Sequence, residues 1–313
     1  PRLSIAGPIK RERLLFGPKE HYRGVVTGTF VNRNHLAGYL EMTLACGIGL
    51  MLTLRNGGSL TWRNLLETLL SAKVILRLTL AIMVIGLVMS QSRMGNMAFF
   101  SSLLCVGTVF VLTQKKHRLR NSLIIASLLV VDMLIISQYF GFEKLIDRLM
   151  TTRVETVVVD GKEILPRNEG RLELFSYAIE QFSERPLVGF GAGSFAASFG
   201  EYQGRGIRGD FDHAHNDYLE FAIEYGLIGL IPLALFVALA FYHALRAIWR
   251  QDSTYHRGVG FAASMGILAL MIHSSADFNL QIPANAATFI LLCAIAVLAG
   301  PETRSQTSSV VSG

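Results

Sequence analysis

Residues 213–249 read HAHNDYLEFAIEYGLIGLIPLALFVALAFYHALRAIW, a knot of imidazoles, amide and carboxylates that passes straight into an apolar run. From Gly226 to Leu245 there is no Asp, Glu, Lys or Arg. A helix needs roughly 20 apolar residues to cross the hydrocarbon of a bilayer, so this stretch reads as a membrane span with ionisable groups at its mouth. Such groups are costly at a membrane boundary unless they are used, and the junction is therefore the first place to look for chemistry.

Working outward, the chain is 51% hydrophobic and 17% charged, with mean hydropathy +0.42. That balance describes a membrane protein with a sizeable aqueous loop rather than a soluble enzyme. The net charge is +6, but Lys and Arg stand in short clusters beside hydrophobic runs, which argues against nucleic acid as a partner. Cys46, Cys105 and Cys293 all fall inside apolar runs, so neither a disulfide nor a zinc site is implied. The chain opens on Pro1 in polar sequence without an initiator Met or signal peptide, and the expectation is a fragment missing earlier spans.

Seven segments are expected to cross the bilayer: His35 to Leu54, Val74 to Ser92, Met94 to Thr113, Asn121 to Phe142, Tyr225 to Trp249, Gly258 to Ala276 and Ala284 to Gly300. Arg77 interrupts the second, and the last is short. The fold class is thus all-α and polytopic. Residues 1–34 form an extracytoplasmic segment, 35–142 four spans, 143–224 a long external loop, 225–300 three spans and 301–313 a cytoplasmic tail. The orientation rests on Lys115, Lys116, Arg118 and Arg120 in one loop and Arg246, Arg250 and Arg257 in another, both placed in the cytoplasm by the positive-inside rule. Against it stand Arg2, Lys10, Arg11, Arg13, Lys19, Arg23 and Arg33, which the same topology puts outside, where basic residues attract anionic headgroups.

Within the long loop, Leu172, Phe175, Ala178, Ile179 and Phe182 recur with helical period, which predicts an amphipathic helix from Gly170 to Glu184, stopped by Pro186. Arg171 lies in its first turn, where a cation gains nothing from the helix dipole. Gly189, Gly191 and Gly193 then cluster, as a plain turn or as a set of N–H groups open to a phosphate.

Three readings compete for His213-Ala214-His215-Asn216-Asp217. The string imitates the HxHxD opening of metallo-hydrolases, but Tyr218 stands where a further His belongs and no second ligand set follows. It is equally a helix start, with Asp212 or Asn216 as cap. Or it holds a general base: a His in a helix's first turn meets the positive dipole end, which favours the neutral ring that accepts a proton.

His215-Asn216, then nine residues, then Gly226-Leu227-Ile228-Gly229 resembles the signature of bacterial O-antigen ligases and the related O-antigen and exopolysaccharide polymerases. The stretch Thr29 to Leu40, with Asn32, Arg33 and Asn34, is similar to the family's Asn-rich approach to a span. Ser90-Gln91-Ser92-Arg93 resembles its short outward turn, and Arg171 ahead of Pro186 and the glycines resembles the loop bearing a second arginine. The resemblance implies a GT-C-like membrane glycosyltransferase in the cytoplasmic (inner) membrane, with its site facing the periplasm or exterior. It would move a glycan, with inversion and without a metal or other cofactor, from an undecaprenyl-diphosphate carrier to a hydroxyl of a glycan, a lipid A core or a protein. On that reading His215 is the base. Arg93, Arg171 and Arg33 hold the diphosphate, because guanidinium forks pair bidentately with phosphate oxygens. Asn32, Asn34, Asn216, Asp217 and His213 are further substrate contacts. Two alternatives stay open: a protein O-oligosaccharyltransferase, and a transporter or flippase of the same lipid-linked glycan.

Other ionisable residues sit near these. Asp132 lies mid-span, and Glu41 is set to pair with Arg33 or to line the donor cavity. Asp217, Glu220 and Glu224 recur at helical spacing and predict a wetted face for acceptor hydroxyls. His273, Asp277, Asn279 and Gln281 crowd the last external turn, where they line the same cavity or cap that turn.

Overall fold

A computed structural model describes residues 13–14, 17–18, 22, 24–54, 72–113, 118–119, 122–123, 126–127, 157–159, 162–164, 169–204, 211–250 and 253–299. Its architecture is that of an all-α polytopic membrane protein. The only strands among the described residues are two short antiparallel hairpins, β1 (Arg13–Leu14) with β2 (Gly17–Pro18) and β3 (Val157–Val159) with β4 (Lys162–Ile164).

Five helices are long and apolar enough to cross a membrane: α1 (Arg33–Thr53), α2 (Ala72–Met89), α3 (Arg93–Thr113), α6 (Asp217–Arg250) and α7 (Thr254–Ser274). A shorter apolar helix, α8 (Pro283–Leu298), starts with Pro at its N-terminus. Between them come α4 (Glu169–Glu184) and the single turn α5 (Phe195–Ser198), which runs on into a 3-10 turn. The expected span Asn121 to Phe142, with Asp132, lies outside the described residues apart from helical positions at 122–123 and 126–127. So do Lys115, Lys116, Arg120, most of 143–168 and the tail 301–313.

Helix α7 is the hub. It is buried along most of its length and packs antiparallel to α1, α3 and α6. The small residues on it explain why: Gly258 meets the backbone of Gly49 on α1, and Gly260 meets Ala244 and Ala247 on α6. Small residues let helix backbones approach closely where lipid gives no hydrophobic drive for association. One apolar cluster joins α1, α2, α3 and α7 through Leu44, Ile48, Leu87, Phe99, Phe110 and Phe261. A second joins α1, α6, α7 and α8 through Met42, Ala244, Ile267, Leu270 and Phe289. By contrast, Ile228, Ile231, Leu235, Phe236 and Leu239 of α6 point outward, as expected of a lipid-facing surface.

A third cluster stands apart from the spans and organises the loop. Leu174 and Ala178 of α4 pack on Phe195 and Phe199 and on Ala214 and Ile223 at the start of α6. The helix expected at 170–184 forms, but it turns a different face inward: Leu174, Ala178 and Gln181 are buried, Phe175 and Phe182 are half-buried, and Ile179 is exposed.

Helix α6 begins at Asp217, eight residues before the span expected from Tyr225, and its continuity is broken at Gly226 (φ 61°, ψ −176°). The break is spliced by the segment after Pro186. Phe190 N and Gly191 N donate to the carbonyls of Ile223 and Glu224 (both 2.9 Å), while Leu227 N and Ile228 N donate to Pro186 O (2.8 Å) and Leu187 O (3.1 Å). These four bonds occupy backbone groups that the break takes out of the helix, as a membrane-edge backbone requires. A Cβ on Gly226 would fall 2.3 Å from Leu187 O, and one on Gly189 2.4 Å from Glu224 O. Since Gly189 N also donates to Arg185 O (2.9 Å), these amides are engaged in the splice. The first half of the glycine cluster is thus a turn whose amides at Gly189, Phe190 and Gly191 are spent within the protein.

Candidate functional site

The N-termini of α1, α3 and α6, the C-terminus of α7 and the start of α8 meet at one end of the bundle. The segment before α1 seals this end, with Val26 N donating to Met89 O (3.2 Å). Asn32 caps α1 by accepting from Asn34 N (2.9 Å), and Asn216 caps α6 by accepting from Leu219 N (3.1 Å) while donating to Ser275 O (3.1 Å). The capping alternative for Asn216 therefore holds, and two of the asparagines are explained by the helix ends they close.

His215 sits one residue ahead of this cap, outside the helix's first turn, with left-handed backbone (φ 51°). His visits that region more often than most non-glycine residues, yet the conformation still costs roughly 1–2 kcal/mol. Tyr22 and Gln91, the other non-glycine residues with positive φ among those described, belong to the same end. Strain of this kind gathers at functional sites.

Phe278 is the platform around which the imidazoles are arranged. The His213 ring stacks on it at 4.2 Å between centroids, while His35 and His215 meet it edge-on at 4.7 and 5.0 Å. Next to it the Asp277 carboxylate is almost fully buried. It accepts from Asn34 Nδ2 and from Phe278 N (2.9 Å), and His215 Nδ1 and His35 Nε2 approach Oδ1 to 3.8 and 3.9 Å. The 3.8 Å separation is longer than a hydrogen bond, and His215 Nδ1 has no closer partner among the described residues. Catalytic hydrogen bonds are often this loose before substrate arrives. Burial pushes the Asp277 carboxyl up, but the adjacent His215 ring, His273, the Phe278 N–H and His35 outweigh it and bring it down to about 2.

His213 has its own carboxylate. Glu220 Oε1 lies 2.7 Å from Nδ1, and Glu220 Oε2 accepts from Ala214 N (2.9 Å). This hydrogen bond raises the affinity of His213 for its proton, partly opposed by burial.

The wetted face expected for Asp217, Glu220 and Glu224 is not found, since all three are buried. Asp217 accepts from Leu280 N (3.0 Å), and Glu224 accepts from Phe195 N (3.3 Å). Asp217 is turned toward the α7–α8 connection, Glu220 toward His213 and Ala214, and Glu224 toward the 195–199 turn, instead of toward solvent. Similarly, Glu41 pairs with His273 and not with Arg33. Among the described residues no group of three or more His, Cys, Asp or Glu is placed to hold a metal ion.

Arg33 begins α1 and stacks over Tyr22 at 5.6 Å, its buried Nε unpaired among the described residues. Arg93 begins α3 and is exposed, and the first turn of α3 rests on Ala37 and Glu41 of α1 through Gly95. The structure thus brings the helix ends bearing Arg33 and Arg93 to the end that carries His215. Arg171 lies in the first turn of α4, and its side chain is outside the described residues. Asp277 was already a candidate for lining this cavity, but its approach to His215 and the place of Phe278 under the imidazoles were not revealed by the sequence. A carboxylate closing an apolar span was the available signal.

Comparison with known proteins places the chain in a family. Residues 78–234, just over half of the chain, match the O-antigen ligase family. Over 142 residues the chain is 30% identical to the exopolysaccharide production protein ExoQ of Rhizobium meliloti (strain 1021), covering 43% of this chain and 32% of that protein. The match thus spans about a third of the relative's length. The family match contains Arg93, Arg171, His215 and the Gly226 break, and on its extent the chain belongs to the O-antigen ligase family.

Proposed function

We propose that this protein transfers a glycan from an undecaprenyl-diphosphate carrier to an acceptor hydroxyl at the outer face of a bacterial cytoplasmic membrane. The observation that carries the reading is His215, strained and half-buried, with Nδ1 turned toward the buried carboxylate of Asp277 at the end of the bundle where Arg33 and Arg93 begin their helices.

With Nδ1 facing Asp277, Nε2 is left to take the proton of an acceptor hydroxyl, and the ionised carboxylate stabilises the imidazolium that forms. The acceptor oxygen bonds to the anomeric carbon as the bond from that carbon to the diphosphate oxygen breaks. The electron pair leaves with the diphosphate, and the configuration inverts. Arg33, Arg93 and Arg171 receive the departing charge, a role for which preorganised guanidinium groups serve in place of a divalent ion. Asn32 and Asn216 act through the helix ends they cap, and Asn34 through the carboxylate it binds. The relative's association with exopolysaccharide production and the family's ligase description both favour a polysaccharide or lipid A core hydroxyl over a protein one.

The test is transfer from a purified undecaprenyl-diphosphate-linked glycan in EDTA by the full-length protein. Wild type is expected to transfer, His215→Ala to be inactive though stably inserted, and Arg171→Lys to lose activity despite keeping its charge. Retained activity of His215→Ala would remove the base assignment. A wild type that binds the lipid but transfers to no acceptor class would point to transport.

A further inference from the structure

Glu41 and His273 lie inside the bundle beneath the His215 end, and neither is given a direct part in the transfer step. Both side chains are fully buried, with Glu41 Oε1 2.8 Å from His273 Nδ1. Glu41 Oε2 and His273 Nε2 have no partner among the described residues. Buried ionisable pairs, and above all half-satisfied ones, are weak contributors to stability, and apolar replacements of similar volume are often neutral or stabilising. Packing alone is therefore a poor account of this pair.

Its neighbours suggest a better one. A Cβ built on Gly95 would come within 2.9 Å of Glu41 Oε1, so the carboxylate lies against the first turn of α3. That turn is closed by Ser92 Oγ, which accepts from Gly95 N (3.2 Å), and it carries Arg93. A carboxylate is favoured there by the positive end of the α3 dipole. On the other side, Ala276 N donates to His273 O (3.0 Å), so the turn that presents Asp277 hangs from His273. The pair links α1 and α7 at the level where the phosphate-facing helix end and the base-orienting turn diverge.

We infer that Glu41 and His273 are positioning residues, a strut that fixes the Arg93 end of α3 relative to the Asp277–His215 turn; the inference rests on the transferase reading of that site. Loss of the strut shifts both halves together. Donor binding and turnover should suffer jointly, whereas a change at Arg93 alone weighs on the donor KM and one at Asp277 alone on kcat.

The experiment uses the full-length protein with Glu41→Leu and His273→Leu combined. The double variant is expected to insert and resist heat like wild type. It should lose transfer from the undecaprenyl-diphosphate-linked glycan by about a hundredfold, the scale of a 1 Å misplacement, with donor KM raised and kcat lowered. His273→Asn, whose amide nitrogen takes the place of Nδ1, should recover most of the turnover, which a purely space-filling role does not predict. A second readout is independent of activity. In a background without native cysteines, spin labels at Met97→Cys and Ser275→Cys report the distance between the two helix ends. A broadened or shifted distribution in the leucine pair is expected, and an unchanged one overturns the strut whatever the transfer assay shows. Full transfer by the leucine pair also overturns it. A wild type that does not transfer at all sinks the proposed function and leaves the distance measurement to decide the strut.

Discussion

The carboxylate of Asp277 accepts from Asn34 and from the Phe278 N–H while His215 and His35 approach it from two sides. Burial alone would raise its affinity for a proton, but these neighbours bring it down to about 2. A depressed carboxyl contributes stability that is present above its ordinary value near 3.9 and is lost as pH falls through about 2, so through the neutral range Asp277 is a fixed anion. Asp277→Asn keeps the size and removes that anion. The expected result is a fall in kcat of roughly 10³-fold with donor KM little changed, read from initial rates. His213 has the opposite sign. Its hydrogen bond to Glu220 raises its folded value, so its contribution is complete below about 6.5 and is lost as pH rises through the raised value. An NMR titration of the ring should show a midpoint above 6.5 that drops in Glu220→Gln. The difference in legibility between these residues is physical. His215 and Asn216 announce themselves by sitting beside a span with a fixed spacing to Gly226. Asp277 looks like any residue of a capped turn until the fold lays that turn against the start of α6.

Helix α6 holds the site in place through a feature that periodicity does not show. Residues 213–249 announce an apolar helix, a glycine at 226 and, with Asn216 read as a cap, a start at Asp217, but they do not say that the helix breaks. The break depends on backbone from a remote segment, Pro186 to Gly191, which has no apolar pattern of its own. The wetted face misread on Asp217, Glu220 and Glu224 has the same origin: spacing fixes which residues share a face, while only the packed loop decides what covers it. Gly226→Ala strains a backbone that at φ 61°, ψ −176° is essentially open to glycine alone, at a cost of about 1–3 kcal/mol. It also places a methyl 2.3 Å from Leu187 O, so the splice must open. Amide hydrogen exchange should then accelerate at Phe190, Gly191, Leu227 and Ile228, with faster proteolysis of the 186–204 segment. Unchanged protection at those four amides would mean that the splice tolerates a side chain and is not what seats His215.

Across the whole molecule, the spans alternate so that Arg33, Arg93, His213, His215 and Asp277 share one end, while Arg246, Arg250 and Arg257 share the other. Arg257 donates to Thr113 O (3.1 Å), which ties the far ends of α3 and α7 together. The antiparallel packing of α7 on α1, α3 and α6 therefore turns a charge rule read along the chain into a spatial separation of basic turns from the site. That part was legible because hydropathy and charge are summed over whole spans and survive local errors of several residues at their ends. Thiol labelling tests the sidedness. Ser275 and Ser253 are both exposed and mark opposite ends of α7. In intact cells a membrane-impermeant thiol reagent should modify Ser275→Cys, and should reach Ser253→Cys only after permeabilisation, in a background lacking the three native cysteines. The reverse pattern would put His215 and its arginines in the cytoplasm, where acceptors outside the membrane are out of reach, and the proposed transfer could not take place as written.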